Sequence, residues 1–150
     1  MLETLLSLAT MALSAFLAAT VLPFPSEATF TGLLHRGQVD PVALLMVATI
    51  FNTLGSMVNW WIGMMIADGG IRKLPSRLQP EAATLERGEA LFARFGWAVL
   101  LFSWLPGIGD LATIAAGLLR YPPLRFALIV GIGKCARYAA LWAGWIAVAG

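Results

Sequence analysis

The stretch Trp104-Leu-Pro-Gly-Ile-Gly-Asp110 decides the fold, because it places a proline, two glycines and a carboxylate inside an otherwise apolar run. Residues 95–119 would otherwise read as one membrane helix. Proline removes a backbone donor from a helix and glycine loosens what remains, so the run is predicted to break in its middle. The predicted break residues are Pro106, Gly107 and Gly109. An earlier stretch, Pro23-Phe-Pro-Ser-Glu27, carries a carboxylate at the same spacing after its first proline.

The composition indicates an integral membrane protein. Of 150 residues, 59% are hydrophobic and 12% are charged, whereas charged residues make up about 25% of a typical soluble domain. The net charge of +2 is small and no basic patch is interleaved with exposed aromatic residues, which argues against a nucleic-acid partner. Cys135 is the only cysteine and His35 the only histidine, so neither a disulfide framework nor a metal cluster is expected. No cofactor is predicted.

The chain begins with a predicted re-entrant hairpin. Residues 4–22 are apolar over roughly the 20 residues that a membrane span needs, but the run meets Pro23 and Pro25 and resumes only briefly. The returning piece, 27–36, covers about 15 Å at 1.5 Å per residue, half of a hydrocarbon core of about 30 Å. Ser26 is predicted to cap this half-helix, since a serine before a helix satisfies backbone donors at its start.

A full transmembrane helix is predicted over residues 42–67, which are apolar apart from Asn52, Asn59 and small hydroxyl residues. Gly55 and Gly63 allow another helix to approach closely. Asn52 lies near the bilayer midplane, where an amide requires a hydrogen-bond partner.

The polar segment 68–94 is predicted to be a cytoplasmic linker. Leu85, Leu91 and Phe92 recur in it at helical spacing, which indicates an amphipathic surface helix after Pro80. The alternative is an ordinary solvated helix that joins two spans.

The second half has a second broken run over 95–119 and a second full span over 126–150. This span carries Lys134 and Arg137 three residues apart, hence on one helical face. A cation at such depth is costly and requires a partner or a water-filled cavity.

The second half of the chain can be laid on the first. The aligned pairs are Pro23 with Pro106 and Glu27 with Asp110 at an offset of 83, and Asn52 with Lys134, Gly55 with Arg137 and Trp60 with Trp142 at an offset of 82. A hairpin plus one spanning helix makes an odd number of crossings, so the halves enter the membrane from opposite sides, as in many transporters. We predict a single all-α membrane domain in which an inverted repeat of hairpin plus helix covers about 4–67 and about 95–150.

Loop charges favour two hairpins over four spans. With hairpins, seven cations lie on one side of the membrane and Arg36 alone on the other. The seven are Arg72, Lys73, Arg77, Arg87, Arg94, Arg120 and Arg125. With four spans, Arg120 and Arg125 would join Arg36. Cationic loops favour the cytoplasm, so the linker is expected there and both chain ends outside; if 4–22 spans instead, the N-terminus lies inside.

With these residues in view, the chain resembles the DedA family, also called the VTT or SNARE-associated-like domain, and especially its short branch. The resemblance covers nearly the whole chain and rests on Pro23-Phe-Pro-Ser-Glu27, Phe95-Gly96, Ser103-Trp-Leu-Pro-Gly-Ile-Gly-Asp110, Ala116-Gly117, Gly133-Lys134 and Arg137-Tyr138. It implies two inverted re-entrant hairpins in the cytoplasmic (inner) membrane. It also implies a role in moving polyprenyl-phosphate or phospholipid headgroups and in proton-dependent envelope homeostasis.

One departure from the family changes the expected site. The larger branch commonly has arginines flanking the proline of the second hairpin, where this chain has Ser103 and Gly109. Phosphate binding by those arginines therefore does not carry over. The resemblance to the short branch implies that Asp110 and Lys134 lie in the site instead.

The predicted substrate and proton site consists of Glu27, Asn52, Asp110, Lys134 and Arg137. If both hairpins reach the midplane, two half-helices direct free backbone donors and positive dipole ends at one spot, which suits an anion. Lys134 and Arg137 add positive charge. The two carboxylates are expected to titrate, exchanging a proton for access of an anionic lipid headgroup.

Three functions are compared. The first is a lipid-headgroup translocator or a proton-linked transporter of the cytoplasmic membrane. The second is a non-transporting scaffold in which the four charges form two buried ion pairs. The third, an enzyme acting on lipid phosphates, ranks last because no nucleophile–base pair, metal cluster or phosphate loop is visible, and no catalytic residue is assigned. One copy offers little bulk around an aqueous path, which favours a homodimer.

Overall fold

The structure is a computed structural model that describes residues 1–20, 25–70, 79 and 81–149. Its elements in chain order are α1 (Leu2–Ala18), α2 (Ser26–Arg36), α3 (Pro41–Ala67), α4 (Ala82–Phe95), a 3₁₀ helix (Gly96–Phe102), α5 (Ile108–Leu118) and α6 (Pro123–Ala149). The all-α prediction is confirmed for these residues. The predicted break at Pro23, the helix boundary at Pro80 and the linker cations Arg72, Lys73 and Arg77 lie outside the described residues.

The helices α3 and α6 form the centre of the fold. Each has 27 residues and begins with a proline, a residue that suits the first helical position because no backbone donor is needed there. At 1.5 Å per residue each is about 40 Å long, more than a hydrocarbon core of about 30 Å. Both are apolar enough to cross a membrane. The helices predicted over 42–67 and 126–150 are therefore confirmed.

The two long helices pack against each other in antiparallel directions. The ring of Trp60, late in α3, lies 6.3 Å from the ring of Phe126, early in α6. Near the middle, Asn52 donates to the hydroxyl of Tyr138 over 3.0 Å. Each helix therefore passes the other with its middle opposite its partner's middle.

The helices α1 and α2 form an antiparallel hairpin. The hydroxyl of Ser14 donates to that of Thr29 over 2.9 Å, and Gln38, just after α2, donates to the carboxylate of Glu3 over 3.4 Å. The start of α1 thus lies beside the end of α2. Gly37 ends α2 with φ +64°, a left-handed conformation that glycine adopts without strain.

The prediction that Ser26 caps α2 is wrong. Pro25 occupies the position before the helix and Ser26 is its first residue. The hydroxyl of Ser26 instead accepts a hydrogen bond of 3.0 Å from Tyr138. Because Ser26 is the first residue inside the helix, it does not occupy the capping position, and its hydroxyl pairs across the fold instead.

The predicted break in the second apolar run is confirmed. The 3₁₀ helix ends at Phe102, and the chain turns before α5 begins at Ile108. Gly107 has φ +79°, and Gly109 packs so closely on the carbonyl of Ser103 that a Cβ would overlap it. The turn therefore requires glycine at both positions.

The helix predicted after Pro80 is confirmed as α4, which packs on α5 and on the 3₁₀ helix. Gly88 is its buried contact, directly beside the carbonyl of Leu111.

At the far end of α5, Arg120 forms a 2.5 Å ion pair with Asp68, which follows α3. Trp60 also donates to the carbonyl of Tyr121 over 2.9 Å. The end of α5 thus lies beside the end of α3.

Two hydrophobic clusters lie on either side of the α3–α6 crossing. One contains Phe30 and Tyr138, and the other contains Leu100, Phe126 and Val130. Glycines bring the helices together, as predicted: Gly55 packs on the carbonyl of Phe16, and Gly63 packs on that of Ile114. The buried polar side chains that form the site lie between the two clusters. They are Ser26, Asn52, Asn59, Ser103, Thr113 and Lys134.

Candidate functional site

A cavity of about 260 Å³ lies where the α3–α6 crossing meets the end of α1, the start of α2 and the turn before α5. We call it the central cavity. Its described lining residues are Ala18, Ala19, Thr20, Ser26, Asn52, Ser103, Trp104, Leu105, Pro106, Gly107, Asp110, Lys134 and Arg137. Four of the five predicted site residues lie in its wall, and Glu27 does not.

Lys134 is held by an amide. Its ammonium group donates to the backbone carbonyl of Asn52 over 3.2 Å and also to the side-chain oxygen of Asn52. Lys134 is only 3% exposed. Because the amide is neutral, the positive charge is hydrogen-bonded without being cancelled. A buried cation of this kind attracts an anion to the cavity.

A relay of hydrogen bonds extends from Lys134 to the start of α2. Asn52 uses its amide nitrogen to donate to the hydroxyl of Tyr138 over 3.0 Å, and Tyr138 donates to Ser26 over 3.0 Å. All four side chains are buried. The relay fixes the start of α2 at the cavity wall and orients the oxygen of Asn52 toward Lys134.

Asp110 is held by a second asparagine. Asn59 donates to the carboxylate of Asp110 over 3.3 Å, to the hydroxyl of Thr113 over 3.3 Å and to the carbonyl of Ala19 over 3.1 Å. Asp110 also lies in the first turn of α5, where the helix dipole favours a negative charge. Asn59 thus joins α1, α3 and α5 beside the cavity.

The carboxylate of Glu27 pairs with Arg137 from outside the central cavity. The Glu27 side chain is 54% exposed and that of Arg137 is 18% exposed. Glu27 lines a second cavity of about 410 Å³, which we call the lateral groove. Its described lining residues are Glu27, Trp104, Ala136, Arg137, Ala140 and Leu141. Arg137 and Trp104 therefore stand between the two cavities.

Two buried donors at the central cavity have no partner among the described residues. They are the hydroxyl of Ser103 and the Nε of Arg137. An unpaired buried polar group costs about 1–3 kcal/mol, so both groups gain from a ligand that accepts hydrogen bonds. The cavity thus presents unpaired donors together with the charge of Lys134.

The predicted hairpin breaks lie beside the cavity where the structure describes them. Pro106 and Gly107 line it, Gly109 starts the following helix, and Pro25 precedes the lining residue Ser26. Both half-helices, α2 and α5, thus begin at the central cavity.

Three residues that support the wall of the central cavity were not predicted from the sequence. Asn59 was noted only as a polar residue, although it lies two helical turns after Asn52 and so shares its side of α3. Tyr138 entered only as part of a motif, although it lies four residues after Lys134. Their helical spacing from Asn52 and from Lys134 was the signal that could have identified both residues. Nothing in the sequence singled out Thr113, whose partner is 54 positions away.

Comparison with known proteins supports the membrane assignment. The family model of the VTT domain matches residues 15–145. A Haemophilus influenzae protein described as uncharacterized is 40% identical over 142 residues, covering 90% of this chain and 85% of that protein. Inner membrane protein YqaA of Escherichia coli is 36% identical over 143 residues, which cover 94% of this chain and 92% of that protein.

A more distant relative carries a functional name. Undecaprenyl phosphate transporter A of Staphylococcus aureus is 29% identical over 126 residues, which cover 78% of this chain and 62% of that protein. No solved structure gives a significant match. From the extent of the domain match and the inner-membrane relatives, we conclude that this chain is an inner-membrane protein of the VTT domain family, the DedA family.

Proposed function

We propose that the protein moves the anionic headgroup of a lipid, either a polyprenyl phosphate or a phospholipid, across the cytoplasmic membrane. The observation that carries this proposal is the central cavity, in which Lys134 is held by the neutral amide of Asn52 and forms no ion pair among the described residues. The relative named as an undecaprenyl phosphate transporter supports a substrate of this class.

The groups around the cavity suit a phosphate. Lys134 supplies a fixed charge, and the planar guanidinium of Arg137 can bind two phosphate oxygens at once. The unpaired hydroxyl of Ser103 adds a donor. The first turns of α2 and α5 begin at the wall, and helix starts favour anions through their free backbone donors.

The arrangement of the two halves supports re-entrant hairpins in an inverted repeat. The ion pair between Asp68 and Arg120 joins the ends of α3 and α5, whereas the contact of Glu3 with Gln38 joins the ends of the first hairpin. If all four apolar runs spanned, Arg120 would lie with Arg36 and not with Asp68. The packing partners also correspond, because α3 packs on α5 and α6 packs on α2.

We further propose that the transport is coupled to protons through Asp110 and Glu27. Asp110 faces the same cavity as Lys134 and Arg137, and Glu27 reaches Arg137 from the lateral groove. As carboxylates both groups oppose entry of an anion, and protonation removes that opposition. Proton uptake on one side and release on the other would then accompany movement of the headgroup.

The alternative is a scaffold that transports nothing. The Glu27–Arg137 ion pair favours it, because such a pair can hold α2 against α6 without any substrate. The second ion pair expected of a scaffold is not formed among the described residues. Lys134 and Asp110 instead bond to separate asparagines.

Reconstitution tests the proposal. Purified protein is placed in proteoliposomes that contain a fluorescent polyprenyl monophosphate or a fluorescent phosphatidylglycerol, and the probe in each leaflet is followed with time and pH. We expect transport of at least one probe. Transport of neither probe by the wild type would favour the scaffold, and chemical turnover of a probe, detected by mass spectrometry, would identify an enzyme.

Two variants test the proton coupling. Glu27→Gln and Asp110→Asn should leave the protein folded and change the pH dependence of transport. Glu86→Gln serves as the matched control, since Glu86 is an exposed carboxylate on α4 away from both cavities. An unchanged pH profile in both site variants would refute the coupling and leave the transport itself standing.

A further inference from the structure

The lateral groove is a second space beside the central cavity. It lies on the outer side of α6, where Ala136 and Ala140 are exposed, and it is apolar apart from the Glu27–Arg137 pair. A groove of this kind on the outside of a membrane helix is open to lipid chains. It shares Trp104 and Arg137 with the central cavity, so those two side chains border both spaces.

Size distinguishes what each space can hold. The central cavity, at about 260 Å³, is smaller than pockets for drug-sized molecules, which occupy about 300–1,000 Å³. It therefore suits a headgroup and is too small for a whole lipid. A chain attached to a bound headgroup must extend out of the cavity, and Trp104 and Arg137 border both the cavity and an apolar groove of about 410 Å³.

We propose that the lateral groove is the path of the hydrocarbon chain of a lipid whose phosphate group is bound in the central cavity, and that the Glu27–Arg137 ion pair closes the passage between them. This proposal rests on the proposed function. Arg137 contacts both spaces, so a phosphate arriving at its guanidinium competes with Glu27 for the same donors. Binding of the phosphate would thus release Glu27 and open the passage. The chain then stays in contact with membrane lipid while the headgroup crosses.

The test fills the groove without touching the central cavity. Ala140→Trp places a large apolar side chain in the groove, and Ala136→Trp does so one turn earlier. Ala143→Trp is the matched control, because Ala143 is also exposed on α6 but does not line the groove. The rates are measured in proteoliposomes with the fluorescent polyprenyl monophosphate and, separately, with the fluorescent phosphatidylglycerol. Binding of glycerol 3-phosphate, a headgroup without a chain, is measured by calorimetry on the purified protein.

We expect the groove variants to slow transport by at least about tenfold, equivalent to 1.4 kcal/mol, while the control stays close to the wild type. Glycerol 3-phosphate should bind equally well to all of them. The probe that the groove variants block identifies the lipid class.

Two results would overturn the groove assignment: groove variants that transport as fast as the wild type, or slowed variants that have also lost glycerol 3-phosphate binding. If the proposed function itself is wrong, the wild type transports neither probe, which distinguishes that outcome from failure of the groove assignment.

Discussion

Lys134 of α6 and Asn52 of α3, 82 positions apart in the chain, are hydrogen-bonded to each other at the middle of the molecule. Each is the twelfth residue of a 27-residue helix that begins with proline. The two positions also correspond in the internal sequence overlay, so equivalent positions of the two halves meet at the centre. An amide partner satisfies the ammonium group and preserves its charge, which an ion pair with Asp110 would have cancelled.

The first prediction separates the structural role of this pair from its role in transport. Lys134→Met should abolish transport, because it removes the buried charge. It should also destabilise the protein by about 1–3 kcal/mol, since the oxygen of Asn52 loses its donor. Both quantities are measured on one preparation, by proteoliposome transport and by unfolding in mixed micelles.

The double variant Lys134→Met/Asn52→Leu provides the control. Replacing both partners by apolar groups removes the unpaired oxygen, so stability should rise above that of Lys134→Met while transport stays lost. Recovery should fall short of the wild type, because Asn52 also donates to Tyr138. Recovery of transport in the double variant would show that the charge of Lys134 is not required.

The second prediction concerns the hydroxyl of Tyr138. Tyr138→Phe removes one donor and one acceptor from the relay between Asn52 and Ser26. Interhelical hydrogen bonds in membrane proteins contribute about 0.6 kcal/mol on average and up to about 1.7 kcal/mol. We expect a loss of unfolding free energy within this range. Tyr121→Phe is the matched control, because Tyr121 is held through its ring and its backbone carbonyl, and the change should stay within about 0.5 kcal/mol.

The third prediction tests the close crossing of α3 and α5. A Cβ at Gly117 would overlap the carbonyl of Trp60, which is backbone and cannot rotate away. Gly117→Ala should therefore cost at least the 1–3 kcal/mol or so that overpacking usually costs. Gly144 on α6 has no atom within 4 Å of the corresponding position, so Gly144→Ala should be neutral or stabilising by up to about 1 kcal/mol. Equal effects of the two substitutions would contradict the crossing.

The fourth prediction tests the membrane topology. In a Cys135→Ser background, single cysteines are introduced at two exposed positions, Gln38 after α2 and Leu124 at the start of α6. With two hairpins they lie on opposite sides, so a membrane-impermeant thiol reagent applied outside should label Gln38→Cys and spare Leu124→Cys. Glu86→Cys on the linker should behave like Leu124→Cys. Labelling of Gln38→Cys and Leu124→Cys from the same side would instead indicate four spans.

Much of the fold follows from local features of the chain. The spans over 42–67 and 126–150 were found because length and apolar composition are set by the thickness of a bilayer. The break at Pro106 was found because proline and glycine act on their own backbone. Such effects need no knowledge of what the residue contacts.

The partners of the charged residues were predicted less well. The scaffold hypothesis places all four charges in ion pairs. In the structure Glu27 pairs with Arg137, whereas Lys134 and Asp110 are each hydrogen-bonded to an asparagine. Ser26 was expected to cap α2 and instead accepts from Tyr138. These contacts join residues 51 to 112 positions apart. They depend on how each helix is rotated about its axis.

The sequence by itself determined that this is a helical membrane protein with two full spans, a break in the apolar run at Pro106 and charged residues within its apolar helices. Those properties follow from composition, bilayer thickness and the covalent chemistry of proline. Only the tertiary structure decided that Lys134 faces Asn52 in the central cavity while Glu27 lies outside it, in the lateral groove. The physical reason is packing. Contacts at Gly55, Gly63 and Gly117 fix the rotation of α3 and α5, and the contact of Gly133 with the carbonyl of Leu101 fixes that of α6. The rotation of each helix selects which polar groups meet.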